Sequence, residues 1–254
     1  MRRLLLLLAM LGAAWGSNVH RHLNLLADDS KRHNAVTSEP HRVFALSARP
    51  PPLVALSPGR AAELVCEAYG SPAPSIHWYK NDAPVYEHDL ESSEQIDSNP
   101  ESLARVVSTL LVTSVAGEDQ YRCVVKSGGR MLSATSTVYR STDGSDEGGT
   151  EPPRPQPPRI LVWYRAYVAQ IGRRAVLPCG ARGRPRPAVR WTRRGSGDAE
   201  EVELKDGPRI KILRSGELVL SDLKWSDLGE YACTARNSRG RARAHTFLYP
   251  AKAG

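Results

Sequence analysis

The chain has 254 residues, 41% apolar and 24% charged, a globular balance with material for one or two cores, which excludes a wholly disordered or fibrous polypeptide. The net charge of +8 is uneven. From residue 158 onward 20 Lys and Arg face 9 Asp and Glu, a net +11, while the rest carries 15 against 18, a net −3.

The first predicted element is a secretory signal. Met1-Arg2-Arg3 is basic, Leu4 to Leu11 is apolar, and Ala14-Trp15-Gly16 places small residues around a cleavage point after Gly16. The apolar run is far shorter than the ~20 residues a membrane-spanning helix needs. No later stretch is long enough to span, and the ending TFLYPAKAG lacks the apolar tail of a lipid-anchor signal. The chain is therefore expected to be secreted and extracellular, without a membrane anchor. Residues 1–16 are assigned to the signal and the polar stretch 17–48 to a disordered arm.

Two copies of one unit follow, expected over 49–139 and 158–254. GSPAPSIHW at 70–78 and GRPRPAVRW at 183–191 share Gly, Pro, Pro and Trp. A cysteine stands twelve residues before each tryptophan, Cys66 before Trp78 and Cys179 before Trp191. A glycine precedes each of these cysteines by seven residues (Gly59, Gly172), and a tyrosine precedes each second cysteine by two (Tyr121 before Cys123, Tyr231 before Cys233). Leu64, Cys66 and Ala68 alternate, as do Tyr121, Cys123 and Val125, so each set lines one face of a strand. Leu177, Cys179 and Ala181, and Tyr231, Cys233 and Ala235, repeat the pattern.

Four cysteines allow three pairings, and the repeat selects Cys66–Cys123 and Cys179–Cys233. The Cys–Trp–Cys spacing with a tyrosine two before the second cysteine is that of an immunoglobulin sandwich. The fold class is thus all-β, two tandem intermediate-set-like sandwiches. Trp78, Tyr121, Trp191 and Tyr231 are expected in the cores. Each disulfide should contribute about 4 kcal/mol by restricting the unfolded chain. In the second unit Leu218, Leu220 and Leu223 point inward before the corner Asp227-x-Gly229-x-Tyr231-x-Cys233, and Arg209 is expected to pair with Asp227 in a structural salt bridge. In the first unit Leu110, Val112 and Val115 match the leucines, but the corner is two residues shorter and Gly117 stands where the aspartate should be. The linker, 140–157, is acidic and glycine-rich, then proline-rich, hence flexible and then extended.

Catalytic chemistry finds little support. Five of the seven histidines precede Trp78, the cysteines are committed to disulfides, and neither a phosphate loop nor a metal-ligand cluster appears. No cofactor and no metal are expected. The stretch RILVWYRAYV at 159–168 opens the second unit with large residues on both faces. As an opening strand it is expected at a sheet edge, where it can pair with a partner strand or offer a recognition patch. The basic clusters of the second unit suit sulfated glycans or acidic proteins in a secreted context and argue against nucleic acid as partner.

The segments LKWSDLGEYACTARNSRG and HTFLYP resemble the insect neural/ectodermal development factor family, ecdysone-inducible secreted proteins with two immunoglobulin domains. Lys224-Trp225-x-Asp227 and Thr246-Phe247-x-Tyr249-Pro250 are the most specific marks; PRI at 158–160, LPC at 177–179, VCE at 65–67 and GSPAPSIHW agree with them. The resemblance spans roughly 50–254, and the family shares the missing corner aspartate of the first unit. It implies binding and sequestration of insulin-like peptide hormones, lowering insulin-receptor signalling. Hormone contacts are assigned to Ile160, Val162 and Tyr164 of the opening strand and to Phe247 and Tyr249 of the closing strand, with residues 136–140 as neighbour if the two units meet there. The alternative partner, a sulfated glycan in an adhesive role, is assigned to Arg182, Arg184, Arg193 and Arg241.

Overall fold

A computed structural model describes residues 43–85, 101–141, 155–194 and 200–252. The signal 1–16, the arm up to residue 42 and most of the linker lie outside the described residues.

The first unit contains β1 (Phe44–Ala48), β2 (Leu53–Leu56), β3 (Ala62–Gly70), β4 (Ser75–Lys80), β5 (Ala83–Pro84), β6 (Leu103–Val112), β7 (Glu118–Ser127) and β8 (Arg130–Arg140). The second contains β9 (Gln156–Gln170), β10 (Ala175–Leu177), β11 (Cys179–Arg184), β12 (Ala188–Arg194), β13 (Glu201–Glu203), β14 (Ile210–Ile212), β15 (Leu218–Leu220), β16 (Gly229–Asn237) and β17 (Gly240–Ala251). Alternation drives most of these. In β7, Asp119, Tyr121, Cys123 and Val125 are buried while Glu118, Gln120 and Lys126 are exposed. β6 instead reads as a continuous buried run from Val106 to Leu110, held between β3 and β9 in the middle of its sheet.

Disulfides join Cys66 to Cys123 and Cys179 to Cys233, with Cα–Cα distances of 6.5 and 6.3 Å. Trp78 and Trp191 are buried among the core residues. The core is a single cluster running through both units. No helix among the described residues is long and apolar enough to cross a membrane.

The strand β9 departs from the expected layout. It is not an edge strand. It pairs with β11 and, in parallel, with β17 inside its own unit, and antiparallel with β6 of the first unit. In an immunoglobulin sandwich the place beside this strand belongs to the sheet's own fourth strand; here β9 takes it. A nine-stranded sheet results, with β1-β3-β6-β9-β17-β16-β12-β13 in order and β11 attached to β9. The expected neighbour, residues 136–140, lies instead in β8, paired with β2 and β7 in a separate five-stranded sheet. Residues 44–48, expected in the disordered arm, form β1 against β3, with Phe44 and Leu46 packed on the core. Their few apolar side chains suffice because β3 already offers a row of open backbone groups to pair with.

Candidate functional site: the shared sheet face

Directly paired residues of neighbouring strands project to the same side. The register therefore draws one lateral row across both units: Ala45, Tyr69, Arg105, Ala166, Phe247, Glu230, Arg194 and Glu201. A second row runs Leu103, Val168, Tyr249. The central strands contribute an apolar surface, in which Leu103, Val168, Phe247 and Tyr249 are half-buried. Trp225, in the short 3-10 turn Trp225–Asp227, sets its ring edge-on to Tyr249 at 5.7 Å and is 52% exposed.

The far end of the face is polar. Glu230 bonds His245 at 2.7 Å, and Glu203 pairs with Arg190 at 2.9 Å. Glu201 holds Arg243 and Arg194, and the Arg243 contact keeps its carboxyl below the usual carboxylate range. At the junction, on the same face, Glu67 of the first unit takes Arg105 at 2.5 Å and Arg165 of the second at 3.0 Å, and Arg159 reaches Glu63.

The assigned hormone residues do not share one surface. Phe247 and Tyr249 lie on the open face, beside Ala166 and Val168. Tyr164 is 1% exposed and stacks on Tyr167, ring centroids 5.3 Å apart, while Ile160 and Val162 pack against the core. The reason is a bulge. Arg165 is an extra residue between the pairs Val106↔Tyr164 and Arg105↔Ala166. Strict alternation carries residues 162, 164, 166 and 168 to one side; the bulge reverses the parity after Tyr164. The open side of β9 belongs to Ala166 and Val168. Trp225 and Leu103 were not assigned from the sequence. The signal for Trp225 was present: it falls outside the inward set Leu218, Leu220 and Leu223, so the core has no place for it.

The structural residues take these positions. Arg209 lies 2.5 Å from Asp227, whose other bond accepts the Lys224 N–H at 2.8 Å. Tyr231 donates its hydroxyl to the Asp227 carbonyl at 2.9 Å, and burial raises its pKa. Arg193 is not on an open basic patch. Its guanidinium donates to the carbonyls of Ser226 and Leu228 and covers the Tyr231 ring. Arg182, Arg184 and Arg241 are exposed. Among the described residues no group of three or more His, Cys, Asp or Glu side chains could hold a metal ion.

Two disulfide-bonded sandwiches joined through one sheet define an immunoglobulin-type module, and the immunoglobulin-domain family matches twice, over residues 46–127 and 157–237. The Drosophila melanogaster neural/ectodermal development factor IMP-L2 is 30% identical over 91% of this chain and 88% of its own length. The Caenorhabditis elegans Zwei Ig domain protein zig-2 is 28% identical over 88% of this chain and 91% of its own. The crystal structure of IMP-L2 superimposes with a TM-score of 0.70 at 28% identity, covering 83% of this chain and 95% of that one. The chain belongs to the immunoglobulin family and, within it, to the two-domain group of the neural/ectodermal development factor.

Proposed function

We propose that this protein is secreted and sequesters insulin-like peptide hormones on the open face of its nine-stranded sheet, thereby lowering insulin-receptor signalling. The family resemblance supplies the class of ligand. The observation that carries the site is the cluster of exposed Trp225 with half-buried Tyr249, Phe247, Val168 and Leu103, which crosses from one unit to the other. Large aromatic residues are the usual anchors of protein interfaces. An interface of about 800 Å² per partner would cover much of a small peptide hormone. Such capture acts by occupancy and slow release and requires no catalysis.

The test is calorimetric titration of the purified chain with insulin-like peptides at low and at physiological salt. Binding that survives salt is expected. Phe247→Glu and Trp225→Ala should each weaken it by about 2 kcal/mol, some 30-fold, as anchor residues do. Absence of binding to every such peptide would overturn the hormone assignment. Unchanged affinity in both variants would overturn the placement.

A further inference from the structure

The basic excess of the second unit converges on one end of it. Asn237, at the tip of the β16–β17 hairpin, donates its side-chain amide to the carbonyls of Gln156 and Pro185, both at 2.8 Å. Gly183 packs so closely on Pro187, Asn237 and Pro158 that a Cβ there would stand 3.0 to 3.1 Å from each. The Asn237 bonds and this packing tie the start of β9, the β11–β12 corner and the β16–β17 hairpin into one surface.

Arg184, Arg236, Arg239 and Arg241 are all exposed there. Arg236 and Arg241 are directly opposite each other across the hairpin. Like charges so placed oppose folding. Among the described residues no carboxylate pairs with any of these four. One register step further along, the situation changes: Arg190, Arg194 and Arg243 are each held by Glu203 or Glu201. The arginines around this hairpin thus form a cluster with no counter-ion among the described residues. Their neighbours are small or polar: Gly183, Pro185, Ser238 and Gly240.

We propose that this hairpin end docks a sulfated polysaccharide. A protein partner would need an apolar centre with few charges, and none exists here. A polyanion needs what is present, several guanidinium forks, unpaired among the described residues, whose donors match tetrahedral oxyanions. The site differs from the one assigned from the sequence. Arg182 and Arg193 are absent from it, Arg193 because the corner uses that side chain, and Arg236 and Arg239 join. The inference is independent of the hormone reading. Phe247 lies six positions along β17 from Arg241, about 20 Å at strand rise, so one chain can hold both ligands.

Immobilised heparin is the probe, with the full chain titrated over a range of salt. The variant R236A/R239A/R241A should lower the slope of log affinity against log salt by about three, one per lost ionic contact. R173A/R174A, two arginines elsewhere on the unit, should leave the slope within about half a unit of the parent. R236K/R239K/R241K should retain most of it, and near-ultraviolet circular dichroism should match the parent in every variant. Equal losses in the triple and control variants would reduce the effect to net charge and overturn the site. An unchanged slope in the triple variant would do the same. Undiminished binding to desulfated heparin would overturn the sulfate assignment. Hormone titration of the triple variant should be unaltered, which separates this surface from the aromatic face.

Discussion

In the second unit the buried Trp191 indole donates to the Gly216 carbonyl at 2.8 Å; in the first, Trp78 donates to the Ser108 hydroxyl at 3.0 Å. The corners differ in the same way. Asp227 organises the second corner through Arg209, the Lys224 N–H and its own carbonyl to Tyr231. In the first unit Asp119, two residues before Tyr121, takes Lys80 at 2.8 Å and the Asn81 amide at 2.8 Å. The buried tryptophan N–H is thus met by a backbone carbonyl in one unit and by a side-chain hydroxyl in the other. The first unit also borrows β9 from the second to complete its sheet. The second unit makes its own sheets, and the first depends on its neighbour.

The comparison is broken most severely at Tyr167. Its ring is fully buried, and the residue pairs with Ala104 of the first unit and Leu248 of the second. Tyr167→Ala should cost about 4 kcal/mol and should shift the unfolding of both units together in guanidinium. A shift confined to one of two resolved transitions would show that the units fold independently. Next comes the tryptophan contrast. Gly216 has φ +110°, and an added Cβ would stand 2.5 Å from the Cys179 carbonyl oxygen. Gly216→Ala should therefore cost about 3 kcal/mol through strain and overlap. Ser108→Ala only leaves the Trp78 N–H without its acceptor, about 1 to 2 kcal/mol. Denaturation midpoints that reversed this order would refute the division between backbone and side-chain acceptors.

The repeat was legible because its signals are local. Alternation, the cysteine-to-tryptophan spacing and the Gly-x-Pro-x-Pro corner each act within a dozen residues, and the structure brings Cys66 to Cys123, Cys179 to Cys233 and Arg209 to Asp227. Aromatic content marked both strands of the shared face. Which side of β9 is open was not legible. It turns on the bulge at Arg165, which carries neither glycine nor proline and is set by how β6 and β17 grip the strand from opposite sides. Pairing of β9 with β6 is long-range and leaves no local mark, apart from the mostly apolar run of β6 from Val106 to Val112, interrupted by Ser108 and Thr109. The arginines looked alike in sequence, and only packing separates Arg193 from Arg241.

The smallest expected effect sharpens the corner comparison through pH. The Lys80 hydrogen bond, joined by that of Asn81, holds the Asp119 carboxyl below its ordinary value, and the same contact raises Lys80. For a depressed carboxylate the stabilisation is complete above the unfolded pKa, about 4, and is lost as pH falls through the lower folded value. For the raised lysine it is complete below about 10.4 and lost as pH rises through the higher folded value. Between those limits the pair contributes a constant amount, at most about 1 kcal/mol because the lysine is partly exposed. Asp119→Asn should remove it. The gap in guanidinium midpoint between parent and Asp119→Asn should be widest near pH 7 and should close as the pH falls below Asp119's folded value. A gap of equal width at pH 7 and pH 2 would mean that Asp119 acts through hydrogen-bond geometry with Asn81 and not through its charge, unlike Asp227 with its Arg209 partner in the second corner.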